Sequence, residues 1–155
     1  MKGNPQLIDR LNARLAEELT AINQYVVHGE MCANWGYERL HEALEKRAIA
    51  EMKHAEKLIE RILFLEGTPI VSKLNELHIG STVQAQLEND LQDEYAAVRA
   101  YNQDIQFAGE VGDFGTRELL EAILQDEEDH VDWLEAQLDQ IHQMGLQIYL
   151  SEQIK

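Results

Sequence analysis

The chain has 155 residues, 45% of them hydrophobic, with two prolines and a formal net charge of −16. This length suits one core, so residues 1–155 are expected to form a single domain, and the acidic balance attracts cations while arguing against nucleic acid and anionic membranes as partners. No run approaches the roughly 18 apolar residues of a membrane span, Met1-Lys2-Gly3-Asn4-Pro5 carries no leader-like apolar stretch, and the lone Cys32 cannot form an internal disulfide, so a reducing cytoplasm is the expected setting.

Apolar positions recur at spacings of three and four, the mark of helices packed at shallow angles. The first predicted helix, 5–34, carries the seam Ile8, Leu11, Leu15, Glu18, Ile22, Tyr25. Asn34-Trp35-Gly36 is a short turn, so a second helix over 38–66 returns beside the first with Leu44, Ala48, Glu51, Ala55, Leu58, Ile62 and Leu65. From Gly67 to Gly80, through Thr68-Pro69, the connection is long enough to cross the height of a bundle and leave the second and third helices parallel. Ser81 with Gln84 reads as a capping box. The third helix, 82–109, shows Leu87, Leu91, Glu94, Val98, Tyr101, Ile105 and Ala108. After the turn Gly109 to Asp113, the fourth, 114–144, shows Leu120, Leu124, Glu127, Val131, Leu134, Leu138 and Ile141. Gly145 ends it, and Leu146 to Gln153 form a short fifth helix. The expected fold is all-α: a four-helix bundle with one long crossover and a short C-terminal helix.

An offset of 76 residues relates the halves: Glu18 maps to Glu94, Tyr25 to Tyr101, Gly36 to Gly112, Glu51 to Glu127 and His54 to His130. Core packing explains matched apolar residues but not these. One glutamate in a seam is usually a misjudged register with its head in water. Four, at one level and related by a repeat, would repel one another in a dry core and cost several kcal/mol each, on the order of the usual penalty for a buried charge. Glu51-Met52-Lys53-His54 and Glu127-Glu128-Asp129-His130 are both Glu-x-x-His, which puts an oxygen and a nitrogen ligand on one helix face. With Glu18 and Glu94 from the other helices this is the constellation of ferritin-like di-metal bundles. Four carboxylates balance two divalent ions, and mixed oxygen and imidazole donors suit iron, manganese or zinc over calcium or magnesium. Redox iron fits a paired carboxylate site better than structural zinc does. Tyr25 and Tyr101 either donate hydrogen bonds to the ligand carboxylates or pack as core aromatics. His28, His41, His78 and His142 lack matched spacing and read as surface or loop residues.

With these residues in place the sequence resembles bacterioferritin, the haem-containing branch of the ferritin family, over nearly its whole length. The most specific parts are the six ligand positions, Glu51-Met52-Lys53-His54-Ala55, Ile62-Leu63-Phe64-Leu65-Glu66-Gly67, and Glu127 to His130 with Trp133-Leu134-Glu135. The resemblance implies a ferritin-like fold and a homo-oligomeric shell of 24 subunits that stores iron. It implies ferroxidase activity, in which Fe(II) is oxidised by oxygen or peroxide and deposited as ferric mineral. Glu18 and Glu94 would be terminal ligands of two irons, Glu51 and Glu127 bridges, and His54 and His130 would complete one iron each. Met52 lies about 100° around the helix from the metal face; the resemblance makes it the axial ligand of one haem b shared by two subunits, where position alone suggests an ordinary interface contact. A ferredoxin would be the electron-donating partner. Certain members carry an inner-wall iron site where this chain has Lys46 and Ala50, so that site is expected to be absent. Leu58 stands where some have an aromatic, and Glu45 where haem pockets can use a tyrosine. The competing class is a soluble di-iron oxidoreductase acting on peroxide or an organic substrate.

Overall fold

The computed structural model describes residues 1–155 as five helices: α1 Pro5–Asn34, α2 Glu38–Phe64, α3 Val83–Glu110, α4 Phe114–Met144 and α5 Leu146–Ser151. The starts of α1, α3 and α4 each have a side-chain cap. Asn4 accepts the N–H groups of Gln6 and Leu7 ahead of Pro5, and Asp113 accepts that of Thr116. The α3 cap is Thr82, whose hydroxyl accepts the Ala85 N–H at 3.2 Å. The expected Ser81–Gln84 box is thus displaced by one residue, because Thr82 is the last residue in extended conformation, and Gln84 bonds Glu88 instead. Helix ends repeat at the 76-residue offset. Gly36 and Gly112 sit at φ +87° and +77°, and the following N–H groups, of Tyr37 and Asp113, close onto Cys32 and Ala108.

The contacts fix the helix directions. Along α1, Arg14 meets Asp104, Tyr25 meets Glu94 and Cys32 meets Gln86, so α1 and α3 are antiparallel. Gly3 near Leu65 and Gly29 near Leu44 make α1 and α2 antiparallel as well. It follows that α2 and α3 are parallel. Four α1 side chains hold the crossover to the bundle. Asn12 Oδ1 accepts from Ile70 N–H, Thr20 from Asn75, Gln24 from His78 and His28 from Gly80. Their spacing in multiples of four lays them along one face of α1, so the crossover climbs that face with four of its backbone donors held there.

The apolar core is split in two. One cluster holds Leu11, Leu15, Leu58, Ile62, Leu120 and Ile123; the other includes Leu40, Leu44, Leu87, Leu91, Leu134 and Tyr149. In every long helix the seam glutamate falls between the two clusters, so the bundle carries a polar layer across its middle.

Candidate metal centre

That layer contains the six side chains singled out from the sequence, one glutamate each from α1 and α3 and a Glu-x-x-His pair each from α2 and α4. All are at most 3% exposed. They form two overlapping groups, Glu18, Glu51, His54, Glu127 and Glu51, Glu94, Glu127, His130, whose ligand atoms lie within 4.8 Å of one another. The shared members present separate oxygens to each group. Glu51 turns Oε1 to His130 Nδ1 at 2.9 Å and Oε2 to His54 Nδ1 at 3.5 Å. Glu127 turns Oε1 to His54 at 3.0 Å and Oε2 to His130 at 4.0 Å. Glu18 lies 3.6 Å from His54 and Glu94 3.5 Å from His130. The imidazoles stack at 6.2 Å between ring centres.

Hydrogen bonding does not account for this arrangement. Each of the six keeps one buried atom without a partner: Glu18 Oε2, Glu51 Oε1, His54 Nδ1, Glu94 Oε2, Glu127 Oε1 and His130 Nδ1. Native interiors leave few such groups, and six facing a common centre fit bound cations. Without cations the centre draws protons. Burial, then repulsion from neighbouring carboxylates, pushes Glu51 and Glu94 well above the usual carboxylate range. Burial alone would raise Glu18 too, but the close approach of Glu51 and His54, together with the Tyr101 hydrogen bond, outweighs it and pulls that carboxyl down. Burial opposes charge on His54, yet Glu127 and Glu18 push it up to about 10. The oxygen and nitrogen donor set fits two divalent transition-metal ions.

Around the ligands, Tyr25 donates to Glu94 Oε1 at 2.7 Å and Tyr101 to Glu18 Oε1 at 2.6 Å, so the tyrosines act as hydrogen-bond donors, not only as core aromatics. His54 Nε2 bonds Asp126 at 2.8 Å. A cavity of about 280 Å³ between α1, α3 and the crossover reaches Glu18, Glu51, Glu94 and Glu127 from a wall that includes Glu17, His78 and Asp93. Burial, against the pull of Arg14, lifts Glu17 to about 7.

Met52 stands apart from the six, 45% exposed on the outside of α2 with Ile49 exposed three residues earlier. His78 and His142 are exposed and His41 is half-buried against the Gly29 carbonyl. His28 corrects the sequence reading: it is fully buried, Nδ1 on Asp90 and Nε2 accepting the Gly80 N–H. Its burial is stabilised by these two partners, neither of which follows from the α1 seam. Asp90, Asp104 and Asp126 likewise do not stand out in the seam pattern. The internal offset carries a signal for the first two: it maps Arg14 onto Asp90 and His28 onto Asp104. Arg14–Asp104 and His28–Asp90 are the same α1–α3 pair with acid and base exchanged.

Bundle, crossover and paired Glu-x-x-His together define a ferritin-like di-metal protein, and the ferritin-like domain family matches residues 8–144. The chain is 42% identical over 149 residues to the bacterioferritin of Brucella melitensis, covering 96% of this chain and 92% of that one. It is 42% identical over 147 residues to that of Rhodobacter capsulatus (95% and 91%) and 40% over 152 residues to that of Mycolicibacterium paratuberculosis (98% and 96%). The chain belongs to the bacterioferritin family. No helix is long and apolar enough to cross a membrane.

Proposed function

We propose that Glu18, Glu51, His54, Glu94, Glu127 and His130 hold two iron ions as a ferroxidase centre, and that the protein oxidises Fe(II) and stores it as ferric mineral. The observation that carries this reading is the set of six buried, unpaired ligand atoms facing one another. Glu18 and Glu94 act as terminal ligands, and Glu51 and Glu127 as bridges, because each of the latter pair offers a different oxygen to each histidine. Iron bound there supplies the redox chemistry that passes electrons from Fe(II) to oxygen or peroxide. Four carboxylates favour the more highly charged oxidised ion. Tyr25 and Tyr101 fix the terminal carboxylates, and the two apolar clusters close the layer off toward the two ends of the bundle. The wall of the cavity onto the centre carries the carboxylates of Glu17, Glu76 and Asp93, which suits the passage of a cation. Stopped-flow Fe(II) oxidation tests the reading: Glu18→Ala combined with Glu127→Ala abolishes the fast phase with the helical fold intact, and unchanged kinetics refute it.

Residues 1–155 act as one domain within an oligomer of 24 subunits; size exclusion near 24 times 17.8 kDa is expected, and a stable monomer counts against it. Haem b binds between two subunits through Met52, whose exposed thioether leaves it free for a ligand or partner. A ferredoxin supplies electrons for iron release, in the cytoplasm.

A further inference from the structure

The 76-residue repeat makes the two halves of the centre equivalent in their ligands. It does not make them equivalent in what holds those ligands. His54 points Nδ1 into the centre and donates from Nε2 to Asp126 Oδ2 at 2.8 Å. Asp126 is half-exposed, with its carboxylate on the outer side of the ring. Carried back by the offset, Asp126 falls on Ala50, so the residue that would support His130 has no side chain able to accept a hydrogen bond. His130 is as buried as His54 and its Nδ1 faces the same kind of carboxylate set, at 2.9 Å from Glu51 and 3.5 Å from Glu94. The difference therefore lies behind the rings, not in front of them.

A carboxylate behind an imidazole fixes its tautomer, holds the ring plane against rotation and increases electron density at the ligating nitrogen. Only His54 has one. We propose that the two metal positions are unequal: the position completed by His54 holds a divalent ion more tightly than the position completed by His130, with Asp126 as the positioning residue that makes the difference. This rests on the ligand assignment proposed above. The internal duplication gives two matched positions, and the Asp126/Ala50 difference divides them into a retained site and an exchangeable one.

The test is a Co(II) titration of the metal-free protein, followed by calorimetry and by visible absorption, which reports coordination without turnover. Two ions per subunit are expected, in two steps whose dissociation constants differ by about ten-fold or more, the usual effect of such a partner. Asp126→Ala is expected to weaken the tighter step by about 10–100-fold and bring the two together. Asp126→Asn, which still accepts from Nε2–H, retains most of the separation. Ala50→Asp, which returns a carboxylate to the His130 side, strengthens the weaker step and needs no change near His54. Two coincident steps in the unaltered protein overturn the proposal, as does an Asp126→Ala variant in which the gap widens or stays. A protein that binds no Co(II) in the centre refutes the ligand assignment itself, which is a separate result.

Discussion

Tyr101 donates a 2.6 Å hydrogen bond to Glu18, 83 residues away, while its repeat partner Tyr25 does the same for Glu94 at 2.7 Å. Each hairpin thus supplies the donor that orients the seam glutamate on the first helix of the other hairpin. Glu18 has its second oxygen turned inward without a partner, so Tyr101 decides which way that oxygen faces. Tyr101→Phe keeps the packing and removes the donor. It should weaken Co(II) binding by about 10–100-fold at the Glu18 position and slow Fe(II) oxidation, with circular dichroism unchanged. Unaltered affinity would show that the tyrosine only fills space.

Stability of the metal-free protein should fall as pH rises. Glu51 and Glu94 have folded-state pKa values above those of the unfolded chain, so the folded state binds more protons. The stability they contribute is full below the ordinary carboxylate range and is lost as pH climbs through the raised values. Glu17 sets one visible window, from its ordinary 4.5 to about 7. His54 acts in the same sense between 6.5 and about 10. Glu18, Glu42 and Asp113, all lowered, act oppositely, losing stability as pH falls, but are outnumbered by the raised groups. Melts in chelator should give a lower Tm at about pH 7.5 than at about pH 5.5, by several degrees, since about 1 kcal/mol moves Tm by about 2–4 °C at this size. Metal-loaded protein, with ions in place of those protons, should lose this slope. A metal-free Tm that rises across the range would contradict the account.

The parts of this architecture that follow a period could be read from the chain. Glu18, Glu51, Glu94 and Glu127 interrupt apolar seams at matched places, and the Glu-x-x-His spacing puts both donors on one face. The parts satisfied by aperiodic backbone could not. Asn12, Thr20, Gln24 and His28 look like a solvated stripe, and are instead the acceptors for the crossover's N–H groups. Seam reading sends a lone histidine outward; His28 stays inside because Gly80 and Asp90 occupy both ring nitrogens. Asp126 carries no sequence signal until its ring partner is placed.

Met52 should be the single residue on which haem depends. It follows Glu51 yet lies about 100° around the helix from it, exposed, with no part in the six-residue centre. Met52→Leu preserves the apolar volume and removes the sulfur. The variant is expected to assemble, to oxidise Fe(II) at the normal rate and to lack haem absorbance in the visible spectrum. Normal haem absorbance in that variant would remove Met52 from the axial position.

Gly80 tests how firmly the crossover is tied to the start of α3. A Cβ there would lie 2.4 Å from the Gln86 backbone nitrogen and 2.7 Å from the Ala85 carbonyl carbon, and backbone cannot move aside as a flexible side chain can. The same residue donates to His28 Nε2 at 3.0 Å and accepts from Gln86 Nε2 at 3.2 Å, so any shift loosens the buried His28–Asp90 pair as well. Gly80→Ala should cost about 1–3 kcal/mol, the range for overpacking. Gly112→Ala meets only its positive φ, with nothing within 4 Å of the added carbon, and should cost about 1 kcal/mol. Urea denaturation of the two metal-free variants compares them directly. If Gly112→Ala proves the more damaging, the crossover is held elsewhere than at Gly80, because a strap that yields at this contact without loss is not fastened by it.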